Sequence, residues 1–184
     1  MSEAKENIIL GIDPGTTVMG YGLIMITGKK INVLQFGVLN LSGYRGQAVK
    51  LRHIFEMVQK LIEDFNPDFM ALEAPFYGKN IQSMLKLGRA QGVAMAAALS
   101  FQIPIHEYAP RKIKQSVTGN GNASKEQVAG MLKSLLKLDD QPRLFDATDA
   151  LAVALCHYYQ KDKPVSKGNS WSAFLKDNPD RKIR

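Results

Sequence analysis

The run Ile8-Ile9-Leu10-Gly11-Ile12 ends abruptly on Asp13-Pro14-Gly15. An unbroken apolar stretch of this length reads as a strand buried on both faces, and Pro and Gly then force a turn. Asp13 is therefore delivered to the end of a sheet, where a carboxylate does not serve as core filler. Rigid backbone holding an acid in that position suits a metal ion or a phosphate-handling site.

A second strand repeats the pattern. Phe69-Met70-Ala71-Leu72 delivers Glu73 to its end, and Pro75 turns the chain. If the two strands are neighbours, Asp13 and Glu73 project from one sheet edge. Farther on, Asp146 and Asp149 are spaced three apart at the start of an apolar helical run beginning at Phe145, so they share one face of a first turn. Read alone, that pair is a helix cap and an acid complementing the helix dipole. Taken with Asp13 and Glu73 it becomes part of a carboxylate cluster. Such acids raise one another's pKa and stay ionised only beside a cation. Oxygen donors without a Cys or His cluster favour Mg²⁺ or Mn²⁺ over Zn²⁺.

The rest of the chain reads as a three-strand hairpin series followed by helix, strand, helix, strand and helices. Strands are expected at 8–13, Tyr21 to Ile26 and Ile31 to Leu41, with a turn at Gly28-Lys29-Lys30. Helical spacing from Gln47 to Phe65 is stopped by Asn66-Pro67. Residues 80–101 form a helix rich in small residues, suited either to the core or to a dimer face. Ile103 to Tyr108 is a short strand. Arg111 to Gly121 is a basic stretch ending in a Gly-Asn-Gly loop. Ser124 and Gln127 resemble a capping box that opens a helix carrying Val128, Met131, Leu132, Leu135 and Leu136 on one side. The last helix runs from Phe145 to Tyr159. This is an α/β pattern around a mixed five-stranded sheet flanked by helices. One domain is expected over 1–160, with a polar, flexible tail over 161–184 in which Trp171, Phe174 and Leu175 are the apolar residues.

Charge is unevenly placed. Residues 1–110 carry 10 Lys and Arg against 9 Asp and Glu, whereas residues 111–184 carry 14 against 8. The basic half suits a polyanionic partner. The lone cysteine, Cys156, excludes an internal disulfide and reads as a small buried hydrophobe. The polar N-terminus lacks a signal-peptide core, and no apolar stretch is long enough to span a bilayer, so a cytoplasmic protein is expected.

On these motifs the chain resembles the RuvC family of Holliday-junction resolvases across roughly residues 8–159. Gly11-Ile12-Asp13-Pro14-Gly15 resembles the family's first motif. Glu73-Ala74-Pro75-Phe76-Tyr77-Gly78-Lys79-Asn80, with Met84-Leu85-Lys86-Leu87-Gly88, resembles its second, and Asp146-Ala147-Thr148-Asp149-Ala150-Leu151-Ala152 its third. The order of three motifs makes the match specific.

The resemblance implies a ribonuclease H-like fold, a homodimer, partnership with the RuvAB branch-migration motor, and paired metal-dependent nicks in four-way DNA junctions. It places the family's four acids on Asp13, Glu73, Asp146 and Asp149. The third position is histidine in some members and Asp146 here. His157, farther along the same helix, is not a ligand in this reading. Two Mg²⁺ ions per site are expected, with Mn²⁺ as a substitute. Asp13 would bridge them, Glu73 and Asp149 would each complete one shell, and Asp146 would ligate or orient the attacking water. Phe76 is expected to stack on an unpaired base, and Lys114 and Lys125 match basic family positions. Arg111, Lys79, Lys86 and Arg89 are further candidates for DNA contact; Lys86 and Arg89 share a face that equally suits a dimer partner.

Two other classes compete. Asp13-Pro14-Gly15-Thr16-Thr17 also fits the first phosphate loop of actin and sugar-kinase type nucleotide-binding proteins. Those need two such domains, and this chain has room for one and no second Asp-Gly-Gly-type loop. Beside the other acids, Thr16 and Thr17 read as turn residues instead. A non-catalytic junction binder is the other rival. It gains nothing from uncompensated acids facing phosphates.

Overall fold

The computed structural model describes residues 6–74, 80–138 and 145–161. Three strands come first: β1 (Glu6–Asp13), β2 (Val18–Thr27) and β3 (Lys30–Asn40). Then follow α1 (Gln47–Phe65), β4 (Phe69–Glu73), α2 (Ile81–Ser100), β5 (Ile105–Tyr108), α3 (Pro110–Thr118), α4 (Lys125–Leu136) and α5 (Phe145–Lys161). The sheet order is β3-β2-β1-β4-β5. β1 is antiparallel to β2 and parallel to β4, and β4 is parallel to β5, so the five-stranded sheet is mixed as expected.

Each sheet face is buried under a different set of helices. Leu10, Ile12, Met70 and Leu72 point to one side, where they pack with Ile54, Val58, Leu61 and Ile62 of α1 and Ala90, Ala94, Ala97 and Ala98 of α2. Ile9 and Ala71 point to the other, against Ile113, Val128, Leu132 and the apolar length of α5. The central strand is therefore apolar at successive positions, because both of its faces are core. β3, at the sheet's edge, is only partly buried.

The site depends on how closely α5 lies on the sheet. A Cβ at Gly11 would sit 2.1 Å from the Ala150 carbonyl oxygen, and one at Gly20 would sit 1.9 Å from that of Asp146. Only glycine lets helix backbone approach strand backbone this closely. Gly11 and Gly20 thus form a floor that sets the first turns of α5 against the ends of β1 and β2.

Most expected elements are found, and three readings change. The basic stretch after Tyr108 is a helix, α3, because Pro110 occupies its first turn and Ile113 and Val117 give it a buried side. The strand expected from Ile103 begins only at Ile105; Gln102 takes a left-handed φ of 59°, and the Pro104 carbonyl accepts from the Met70 amide. On α4, Val128, Leu132 and Leu136 are buried, but Met131 and Leu135 are exposed, so the apolar stripe is narrower than the sequence suggests. The capping box at Ser124 and Gln127 is formed on both sides, and Asn66 ends α1 in a left-handed conformation. Cys156 is buried. The tail over 162–184 lies outside the described residues. No helix among the described residues is long and apolar enough to cross a membrane.

Gly11→Ala is expected to destabilise the fold by about 1–3 kcal/mol, because the added methyl must push α5 off the sheet. Gly130→Ala on α4, where a Cβ meets nothing within 4 Å, should be neutral or stabilising by roughly 0.5–1 kcal/mol. Chemical denaturation of both variants checks the contrast; equal effects would contradict the close-approach account.

Candidate active site

Strand register brings the first two acids together. Ile12 pairs with Leu72, so Asp13 and Glu73 end adjacent parallel strands. Strand alternation puts both on the α5 side of the sheet: Ile9, Gly11 and Asp13 share one face of β1, as Phe69, Ala71 and Glu73 do on β4. From above, the N-terminal end of α5 contributes Asp146 from its first turn and Asp149 from just beyond it. Carboxylate oxygens of Asp13, Asp146 and Asp149 lie within 4.8 Å of one another. Glu73 sits at the same cleft and is close enough to feel the charge of Asp149.

The electrostatics are those of crowded, partly desolvated acids. Burial, followed by the charges of Asp149, Glu73 and Asp146, pushes the Asp13 carboxyl up to about 7, with Lys125 opposing. Burial is also the main cause that raises Glu73; Asp149 adds to it, and Lys125 and Lys114 oppose. The Lys125 ammonium donates to Asp149 Oδ2 at 2.8 Å. That hydrogen bond is the main reason its pKa is raised. Among the described residues, no other ion pair reaches these acids.

The acids open into a cleft of about 560 Å³ whose lining includes Asp13, Glu73, Asp149, Arg111, Lys114 and Lys125. Carboxylates occupy the floor, and the cations come from α3 and the start of α4. Arg111 is held in place by the Gly-Asn-Gly loop: its side chain packs where a Cβ on Gly121 would be, 2.6 Å from its Cγ. Lys86 lines a separate cleft beside α1, and Arg89 is exposed on α2. Phe76 and Lys79 lie outside the described residues. His157 is buried, its Nδ1 2.7 Å from the Tyr108 hydroxyl, well away from a ligand role.

Sequence reasoning passed over Gln91. It is 4 % exposed on α2. Its amide nitrogen donates to Glu107 Oε1 at 2.6 Å and lies 3.5 Å from the Glu73 carbonyl oxygen. It thus ties α2 to the ends of β4 and β5. The available signal was a lone amide within the small-residue face of that helix.

The donor set suits a hard divalent cation. Three carboxylates converge on one point, Glu73 stands nearby, and Lys125 supplies one charge against all of them. With oxygen donors and no thiolate or imidazole among them, Mg²⁺ or Mn²⁺ matches the chemistry.

Fold and site together define a ribonuclease H-like protein whose acidic cluster is able to hold a metal ion. The family model described as crossover junction endodeoxyribonuclease RuvC matches residues 9–157. The chain is 63% identical over 177 residues to the crossover junction endodeoxyribonuclease RuvC of Cytophaga hutchinsonii, covering 96% of this chain and 88% of that one. It is 58% identical to the protein of that name from Christiangramia forsetii, covering 98% and 94%. The structure of T. thermophilus RuvC in complex with a Holliday junction substrate superposes with a TM-score of 0.79 at 32% identity, covering 84% of this chain and 94% of that one. The chain belongs to the RuvC family of crossover junction endodeoxyribonucleases, enzymes that hydrolyse phosphodiester bonds.

The raised pKa of Asp13 has a stability consequence with a definite sign. Its folded value, about 7, lies above the ordinary value of 3.8. The associated stability is present below about pH 4 and is lost as pH rises through about 7. Without divalent cation, Asp13→Asn should therefore be more stable than the parent at alkaline pH, by on the order of 2 kcal/mol. The difference should vanish near pH 4. Melting curves in EDTA across that range check it; a variant that is less stable at alkaline pH would contradict the crowded-acid account.

Proposed function

We propose that this chain is a structure-selective endodeoxyribonuclease that resolves four-way DNA junctions by paired, Mg²⁺-dependent nicks, in recombination and repair. The observation that carries this reading is the clustering of Asp13, Asp146 and Asp149, with Glu73 beside Asp13 and Asp149 in a cleft also lined by Arg111, Lys114 and Lys125, in a chain of the RuvC family.

Asp13, Glu73, Asp146 and Asp149 would hold two Mg²⁺ ions, with Mn²⁺ as a substitute. When bound, such ions acidify water and stabilise the charge that develops on the leaving 3′ oxygen. Asp13 is the central ligand in this reading, because the other three acids all act on it electrostatically. Glu73 and Asp149 would help to hold these ions, and Asp146 would help to hold an ion or orient the attacking water. Lys114, Lys125 and Arg111 hold the phosphate backbone against the acids and offset their repulsion of it. Phe76 stacks on an unpaired base near the branch, and Lys79, Lys86 and Arg89 contact DNA outside the cut.

Paired nicks require two active centres, and one chain carries one such cluster among its described residues, so the working unit is a homodimer. Ile81, Leu85 and Leu99 of α2 are exposed apolar side chains suited to contributing to that interface. The nuclease unit is residues 1–160, with 161–184 as a polar extension. The protein works in the cytoplasm, where the RuvAB motor supplies the junction.

A labelled four-way junction incubated with the protein and Mg²⁺ should yield symmetric nicks. Asp13→Asn should keep salt-sensitive junction binding and lose cleavage by roughly a thousandfold. Preserved nicking in that variant would overturn the assignment. Binding without nicks by the parent protein would instead indicate a non-catalytic junction binder, and cutting of any duplex a general nuclease.

A further inference from the structure

The turn that carries Asp13 borders a second cleft. Asp13 lines the acidic cleft, while Thr16 and Thr17, three and four residues on, line a cleft of about 370 Å³ with Tyr44, Gln47, Lys50 and Lys86. The two clefts therefore flank the same β1–β2 turn and differ in character. The first has carboxylates at its floor. The second holds two lysines and, among its lining residues, no carboxylate.

Three features bordering the second cleft favour an anion. Lys50, partly buried, donates from Nζ to the Thr16 carbonyl oxygen at 3.1 Å, which fixes its ammonium beside the turn and leaves its other protons for a ligand. Lys86 reaches the cleft from α2. The N-terminus of α1 opens onto it: Gly46 is the N-cap at φ 84°, no side chain caps the helix, and its first turn carries no acid. The positive end of a 19-residue helix is thus uncompensated at a cleft that both lysines line. Thr16 and Thr17, read from the sequence as simple turn residues, position this arrangement through the Thr16 carbonyl.

We propose that this cleft is a second phosphate-binding site that takes the DNA backbone beyond the scissile phosphate. This rests on the junction-nuclease reading above. A strand whose phosphate lies at the acids is continued across the β1–β2 turn, and the cleft on its far side supplies cationic and amide donors without opposing acids. Because the same turn carries Asp13 and anchors Lys50, backbone seated in the second cleft would set the register of the strand at the acids.

The test is a methylphosphonate scan of a four-way junction, in which individual phosphates are neutralised and binding is measured. The parent protein should lose affinity at phosphates near the cut and at a second, separate group. In Lys50→Gln/Lys86→Gln, sensitivity at the second group should disappear while that near the cut remains. Affinity should drop about tenfold, and the salt slope should become shallower by roughly two ions. Lys86→Gln alone, which spares the Lys50 anchor on the turn, should show part of the same loss in a chain of parental melting temperature. Lys29→Gln, at the opposite end of the sheet, serves as the charge control. An interference map unchanged from the parent, or a salt slope reduced no more than by Lys29→Gln, would overturn the site. Failure of the parent protein to bind or cut the junction would instead overturn the functional reading on which the site rests.

Discussion

Helix α5 lying directly on the glycines of β1 and β2 is the constraint on which the rest depends. Gly11 and Gly20 leave no room for a Cβ beneath the carbonyls of Ala150 and Asp146. That contact places the first turn of α5 over the strand end carrying Asp13. A longer spacing would leave Asp146 and Asp149 as an ordinary acidic helix start, and Asp13 as an acid at a sheet edge. The same helix is apolar along its buried length, with Leu151, Val153, Ala154 and Leu155 wholly enclosed, so core packing and site assembly are one event.

The outcome of that packing is a site built against its own electrostatics. Burial and three neighbouring acids raise Asp13 to about 7, and Lys125 offsets only part of the strain. Acids held in mutual repulsion by a rigid scaffold are preorganised for a cation, and the fold carries their cost when none is bound. The cations that border the cleft come from α3 and α4, elements that follow the sheet and pack with α5. The acidic floor and basic rim are therefore supplied by different parts of the chain. This suits a polyanion that must approach carboxylates without being repelled.

Much of this was legible locally. Apolar runs ending in Asp13 and Glu73 announce strand ends, and Asp146 and Asp149 announce a helix face. These signals depend only on neighbours in sequence. Their convergence rests on strand order and on the glycine floor, which link residues more than a hundred positions apart; from the residues alone it was a conditional statement, made specific by family motifs. Helix α3 was hidden because Lys and Arg obscure its short buried side, Ile113 and Val117. Gln91 and the Lys50 cleft were hidden for another reason. An amide and a lysine acquire meaning only from the carbonyls and helix end that tertiary packing brings to them.

The central claim is that a cation replaces protons at a crowded carboxylate site. Calorimetric titration of Mn²⁺ in buffers of different ionisation enthalpy measures that exchange directly. At about pH 6.5 binding should release protons, because the Asp13 carboxyl is largely protonated there without metal, and the release should fall away by about pH 9. Binding without proton release at the lower pH, or a release that does not diminish at the higher one, would contradict the account.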